Sequence, residues 1–395
     1  MVLEDVKVLD LTKVLAGPFC AMQLADFGAE VIKIENPETG GDDSRQFGPH
    51  YGGESVYFMS VNRNKKSMTL NLKIKEGKDI FCKLVSHADV VLENFRPGVM
   101  ENLGLGYEDL RKINPGIIYA STSGFGHGGP YQNRPAYDAV IQGMGGIMSV
   151  TGQQGGEPTR VGVSIGDLAA GLNLAYGIAM ALLHRERTGE GQKVDVAMLD
   201  CQVALLENHI ARYLTAGEIP QPVGNRHPSL APFGSFKTED GHIIIAVGND
   251  KLWKELCEVL GHPEWGEDPH FDTNVSRVKN YDYLQKMLEK ILVQKTTGEW
   301  IEELTRAEIP CGPINSIPDL VKDPQVLARN MLESIPHPQE DTEISVSGIP
   351  VKLSETPGKV FRSSPQLGQH TSKILREVLG FSEKEVAKLK ESGAI

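Results

Sequence analysis

Hydrophobic positions in the first third of the chain gather in short β-branched runs separated by stretches of helical spacing. Residues 6–11 read as a strand, 18–27 as a helix and 30–34 as a second strand, and 88–93 and 116–121 continue the alternation. Strands alternating with helices through short connections predict a parallel sheet with helices on both faces. The longest apolar stretch, 168–183, contains Asn173 and runs into His184 and Arg185, so it reads as a buried helix, too short to span a membrane. A strand at 191–197 and a helix at 198–214 follow, then a segment rich in Pro and Gly at 218–228. Residues 234–247 have hairpin character and are followed by amphipathic helices at 252–260 and 281–292. The tail returns through 348–352 and ends in a charged helix at 382–392. These patterns predict a large α/β domain over 1–215, a linker over 216–228 and a small α/β domain over 229–325. The segment 326–395 returns to pack on the large domain.

Charge narrows the partners. The chain carries 40 Lys and Arg against 52 Asp and Glu, a net charge of −12, which argues against nucleic acid or an anionic membrane. A nucleotide ligand stays open, because its phosphates need only a local basic pocket. A core strand is predicted almost at the first residue, so no targeting segment is expected and the cytoplasm is the expected compartment. The five cysteines are odd in number, scattered and without C-x-x-C spacing, which fits a reducing cytosol and neither a disulfide framework nor a metal site. Cys311, inside the run IPCGPIN at 309–315, reads as a packing residue in a structural turn, and Lys65 and Lys66 read as a solvated turn.

Asp167 is the most informative residue. In RVGVSIGDLAAG, at 160–171, it follows a glycine, opens an apolar helix and is surrounded by small side chains. Such surroundings let a bulky reactant reach a carboxylate. Taken alone, the stretch favours a helix cap, because Ser164-x-x-Asp167 imitates a capping box.

The wider chain changes that balance. VLDLTKVLAGP at 8–18, GAEVIKIE at 28–35, NRNKKS at 62–67, ENFRPG at 93–98, TGEGQ at 188–192, IPCGPIN and LGQHT at 367–371 occur in this order. Together with the Asp167 stretch they resemble the class III CoA-transferases, which include formyl-CoA and carnitine CoA-transferases. The resemblance implies a Rossmann-like large domain in an obligate, interlocked homodimer. It implies acyl-CoA and carboxylic acid substrates, with coenzyme A as substrate and no tightly bound cofactor. Asp167 would be the nucleophile, passing through an aspartyl–acyl anhydride and an aspartyl-CoA thioester, with Gly166 and the first helical turn offering oxyanion donors.

Matching motif positions implies that Val14, Ala16, Leu70, Lys73, Asn94, Phe95, Arg96, Leu103 and Tyr137 hold CoA. Leu15, Asn36, Phe47 and Asn102 replace residues typical of the formyl-CoA transferases, which turns attention from oxalate and formate. DDSR at 42–45, SVNRNKK at 60–66, GLGYED at 104–109 and PTR at 158–160 resemble the branch acting on dicarboxylic acids such as succinate and glutarate. A second carboxylate needs a cation, so Arg45 and Arg160, with His50 behind them, are candidates beside Leu15 and Phe47. Three alternatives stay open. An α-methylacyl-CoA racemase would want a His where Tyr137 stands. An NAD(P)-dependent dehydrogenase would use Glu35 on a ribose but lacks the G-x-G-x-x-G turn. The third is a non-catalytic CoA-binding protein.

Overall fold

Strands β1 (Lys7–Asp10), β2 (Glu30–Glu35), β3 (Lys66–Thr69), β4 (Val90–Glu93), β5 (Ile118–Ser123) and β6 (Lys193–Ala197) form one sheet in the computed structural model, which describes all 395 residues. Every pairing is parallel, and the order is β3-β2-β1-β4-β5-β6. This is the 3-2-1-4-5-6 order of dinucleotide-binding α/β folds, in which ligands lie beyond the carboxyl ends of the strands where the order reverses. Here the reversal falls between β1 and β4. The central strands β1 and β4 carry unbroken apolar runs, Val8–Leu9 and Val90–Leu92, because both faces are covered. Leu9, Ile32, Met68, Val91 and Tyr119 pack on one face with the chain's C-terminal Ile374, Leu375 and Val386. Val8, Val31, Val90, Leu92, Ile118 and Ala120 pack on the other.

Helices α1 (Ala16–Asp26), α2 (Asp138–Met144) and α3 (Ile165–Thr188) belong to this unit, and α1 and α3 share the second core cluster with the sheet. With 24 residues, α3 is longer than expected, and by length and composition alone it could cross a membrane. It is also not the buried helix predicted. Leu174, Ile178, Ala181 and Leu182 face the core, whereas Leu172, Tyr176, Met180 and Leu183 are exposed. Apolar residues occupy its whole circumference, so periodicity could not say which side would be covered. The helix expected at 198–214 breaks at Leu206 into α4 (Met198–Leu205) and α5 (Glu207–Ala216).

The expected solvated turn at Lys65 and Lys66 is instead the buried entry to β3. Lys65 is 0% exposed, and its Nζ lies 3.0 Å from Asp10 Oδ2 while donating to Pro18 O and Asn62 Oδ1. The buried pair with Asp10, 55 residues away, was invisible to local reading.

Two compact units emerge: residues 1–147, 160–217 and 324–395 form the first, and 148–159 with 218–323 the second. Segment 148–159 thus belongs to the small unit, where the sequence placed it in the large one. Within the small unit, β7 (Phe233–Lys237) and β8 (His242–Ala246) form the expected hairpin. The expected turn around Cys311 supplies a third strand, β9 (Cys311–Pro313), antiparallel to β8. Trp253, Phe236, Leu284 and Trp300 centre its core beneath α6 (Asp250–Val259), α7 (Tyr281–Leu292) and α8 (Thr297–Arg306).

Candidate active site

The turn after β1 is built on buried charge. Lys33 and Asp42, both 0% exposed at the side chain, pair at 2.8 Å, and Lys33 Nζ also donates to Thr12 O at 2.7 Å. Burial opposes ionisation of Asp42, but the Lys33 ammonium and the Val14 and Ser44 N–H groups together outweigh it and hold the carboxyl well below the usual range. Asp42 Oδ1 accepts the Val14 N–H at 3.0 Å. Val14 has φ +66°, a left-handed conformation that a β-branched residue adopts only when its surroundings impose it. On the other side, the Lys13 N–H donates to Asn94 Oδ1 and Asn94 Nδ2 donates to Lys13 O, both at 2.8 Å. These reciprocal bonds staple the loops after β1 and β4 together at the point where the strand order reverses. The Phe95 N–H donates to Glu93 Oε2 at 2.7 Å, and burial pushes the Glu93 carboxyl up to about 8.

Asp167 is the third residue of α3, whose N-cap is Ser164, and Ser164 makes no side-chain cap bond. The capping-box reading therefore fails. The Asp167 carboxylate accepts no hydrogen bond from the protein, and burial, then the charge of Asp138, push it up to about 7. The small residues beside it also let two helices touch. A Cβ on Gly171 would lie 2.7 Å from Ala16 O, so α1 and α3 cross closely and bring Asp167 against the β1 turn. The Gly166 N–H, expected to face an oxyanion, instead donates to Asp138 Oδ1 at 2.9 Å. Gln142 Nε2 donates to the other Asp138 oxygen at 2.7 Å, which fixes the carboxylate beneath the first turn of α3.

Asp167 opens into a cavity of about 220 Å3 lined by Val14, Leu15, Ala16, Asn94, Phe95 and Tyr137. A second cavity of about 270 Å3 shares Lys13 and Phe95 with the first and is lined by Leu70, Lys73 and Leu103 among apolar neighbours. Two adjoining chambers, one reactive and one largely apolar with Lys13 and Lys73 at its wall, suit a thioester on a long nucleotide carrier. Arg96 lines neither; it is exposed on the loop, without an ion-pair partner, where a phosphate could reach it.

The residues picked out for acid specificity separate. Leu15 lines the Asp167 cavity. Arg45 does not, because Nε and Nη2 both donate to Glu35 at 2.8 Å while the guanidinium lies 3.8 Å from the Phe58 ring centre. Glu35, bound also by Ser67 Oγ at 2.6 Å, is equally unavailable to a ribose. Phe47 packs edge-on against Tyr57 at 5.5 Å, outside the cavity. Arg160 sits 3.5 Å from Asp138 and is also outside it. Sequence reasoning overlooked Lys13, Asp138 and Tyr57. Burial, then the charges of Asp167, Asp42 and Asp138, push the Tyr57 phenol up to about 12. Asp138, just after Tyr137 in the sequence, carried a signal that went unused.

Known proteins resemble this chain along nearly its whole length. The family model "CoA-transferase family III" matches residues 3–371. An acetyl-CoA:oxalate CoA-transferase of Acetobacter aceti is 44% identical over 95% of this chain and 95% of its own. A succinyl-CoA:glutarate CoA-transferase of Mus musculus is 44% identical over 100% of this chain and 90% of its own. The crystal structure of a CAIB/BAIF family protein from Brucella suis superposes with a TM-score of 0.84 at 41% identity, covering 94% of this chain and 98% of that one. A family model over residues 3–371 and relatives 44% identical along nearly the whole chain lead to one assignment: this protein belongs to CoA-transferase family III.

Proposed function

We propose that this CoA-transferase moves CoA between carboxylic acids, dicarboxylates such as succinate and glutarate among them, through covalent intermediates on Asp167. The observation that carries the mechanism is the Asp167 carboxylate itself, without a hydrogen-bond partner and opening into the cavity at the strand reversal. An Asp167 oxygen attacks the thioester carbonyl, the C–S bond breaks and CoA leaves as thiolate, giving a mixed anhydride. The thiolate attacks the Asp167 carbonyl and expels the donor acid, leaving an aspartyl-CoA thioester. The incoming carboxylate attacks that thioester, re-forming an anhydride and thiolate. Thiolate attack on its acyl carbonyl then releases the new acyl-CoA and restores the carboxylate. No step removes a proton from the nucleophile, so the cavity needs no base, and its lining residues include no histidine to serve a racemase.

The names of the relatives support the choice of acids. The exposed stripe of Leu172, Tyr176, Met180 and Leu183 supports a homodimer, and the odd number and scattered spacing of the five cysteines in the sequence support a reducing cytoplasm. The test is intact-protein mass spectrometry after incubation with succinyl-CoA and hydroxylamine, comparing the wild type with Asp167→Ala. A hydroxamate at Asp167 in the wild type alone is expected. Turnover without any adduct at Asp167 would defeat the covalent mechanism.

A further inference from the structure

Lys13 is the one cation among the residues lining the Asp167 cavity. The arginines that sequence reasoning favoured are spoken for: Arg45 is locked to Glu35, and Arg160 stands outside beside Asp138. A dicarboxylic acyl group brings a second carboxylate into this cavity, and burying it without a cation is prohibitive. We propose that Lys13 reads the distal carboxylate of the acyl group while Asp167 attacks its thioester end, which makes Lys13 a specificity-determining residue; the proposal rests on the dicarboxylate reading above.

The geometry supports a substrate-responsive cation. The Lys13 ammonium lies 3.5 Å from Asp43 Oδ1, a long pair whose acidic partner is 60% exposed. An ammonium has three donors, so a loosely held one can take a second anion without leaving the first. Leu15, Ala136 and Met198 in the same wall can cover the methylenes between the two reacting ends of the acid. Both backbone bonds to Asn94 use main-chain atoms of Lys13, so changing the side chain spares the staple. Lys13 also lines the neighbouring apolar cavity, so a CoA phosphate is the rival ligand for its ammonium. The two occupants leave different signatures.

The full-length wild type, Lys13→Met and Lys13→Arg would be compared for kcat/KM with succinyl-CoA and for the dissociation constant of free CoA by calorimetry. Lys13→Met should lower kcat/KM for succinyl-CoA by about ten- to a hundredfold, the range of a charge-assisted hydrogen bond, and leave free CoA binding within about twofold. Lys13→Arg should retain most activity. Intact CoA binding also certifies that the variant is folded. Equal losses in succinyl-CoA use and free CoA affinity would assign Lys13 to a phosphate and overturn the proposal, as would unchanged succinyl-CoA kinetics in Lys13→Met. Failure of the dicarboxylate reading is separable, since it would show as a wild type that turns over no dicarboxylyl-CoA.

Discussion

At the residue scale, one carboxylate carries two opposed demands. Asp167 must be ionised to attack, yet burial and the charge of Asp138 hold it up at about 7. Its kcat/KM for an acyl-CoA donor should therefore fall about tenfold per pH unit below that value and level off above it, which a pH–rate profile would show. Stability should move the other way. Because its folded pKa exceeds the unfolded value of 3.8, the folded protein binds the extra proton between pH 3.8 and about 7, and stability from this group declines as pH rises through that window. Asp167→Asn should abolish transfer and stabilise the protein at pH 8, by up to about 4 kcal/mol, with the gain vanishing near pH 4. Denaturant melts of both proteins at the two pH values measure this; a variant no more stable at pH 8 would mean that the carboxylate is not strained.

At the scale of elements, function depends on how closely two helices and two loops approach. Gly171→Ala places a methyl 2.7 Å from Ala16 O, so α1 and α3 must separate. We expect a loss of about 1–3 kcal/mol together with a lower kcat, because Asp167 sits one turn away on the same helix. Removing one partner of the buried Lys33–Asp42 pair, as in Asp42→Ala, should cost about 3–5 kcal/mol and release the Val14 turn, seen as a lower unfolding midpoint and a raised KM for acyl-CoA. These elements also mark what could be read in advance. Strands at β1, β2, β4, β5 and β6 were legible because β-branched runs at sheet spacing leave few alternatives. Val14, Leu15, Asn94, Phe95 and Tyr137 were legible through motif position, and they meet in one cavity. Lys13 and Arg45 were not. A lysine in a turn looks like any solvated lysine until Asn94, 81 residues away, fixes its backbone at the mouth of the site. An arginine near the site looks like a substrate reader until Glu35 is found holding both of its donors. Such pairings are properties of the fold, and local pattern holds no trace of them.

At the scale of the whole molecule, α3 poses the sharpest question of association. Its buried face is spent on the sheet, and its first turn presents Asp167 to the cavity, so the helix cannot leave the protein for a lipid bilayer without dismantling the site. Yet Leu172, Tyr176, Met180 and Leu183 are 49–63% exposed at spacings of four, four and three residues, which puts them on one face. Exposed apolar stripes of this kind mark an interface, and a second copy of the chain is the occupant proposed here. Tyr176→Glu with Met180→Glu would set two carboxylates in that stripe, each carrying a desolvation cost that a paired interface cannot absorb. The wild type should sediment as a dimer in analytical ultracentrifugation, and the double variant should shift toward monomer while retaining its secondary structure by circular dichroism. A wild type that is monomeric at micromolar concentration would remove the dimer. A double variant that stays dimeric would move the interface to another face of the protein.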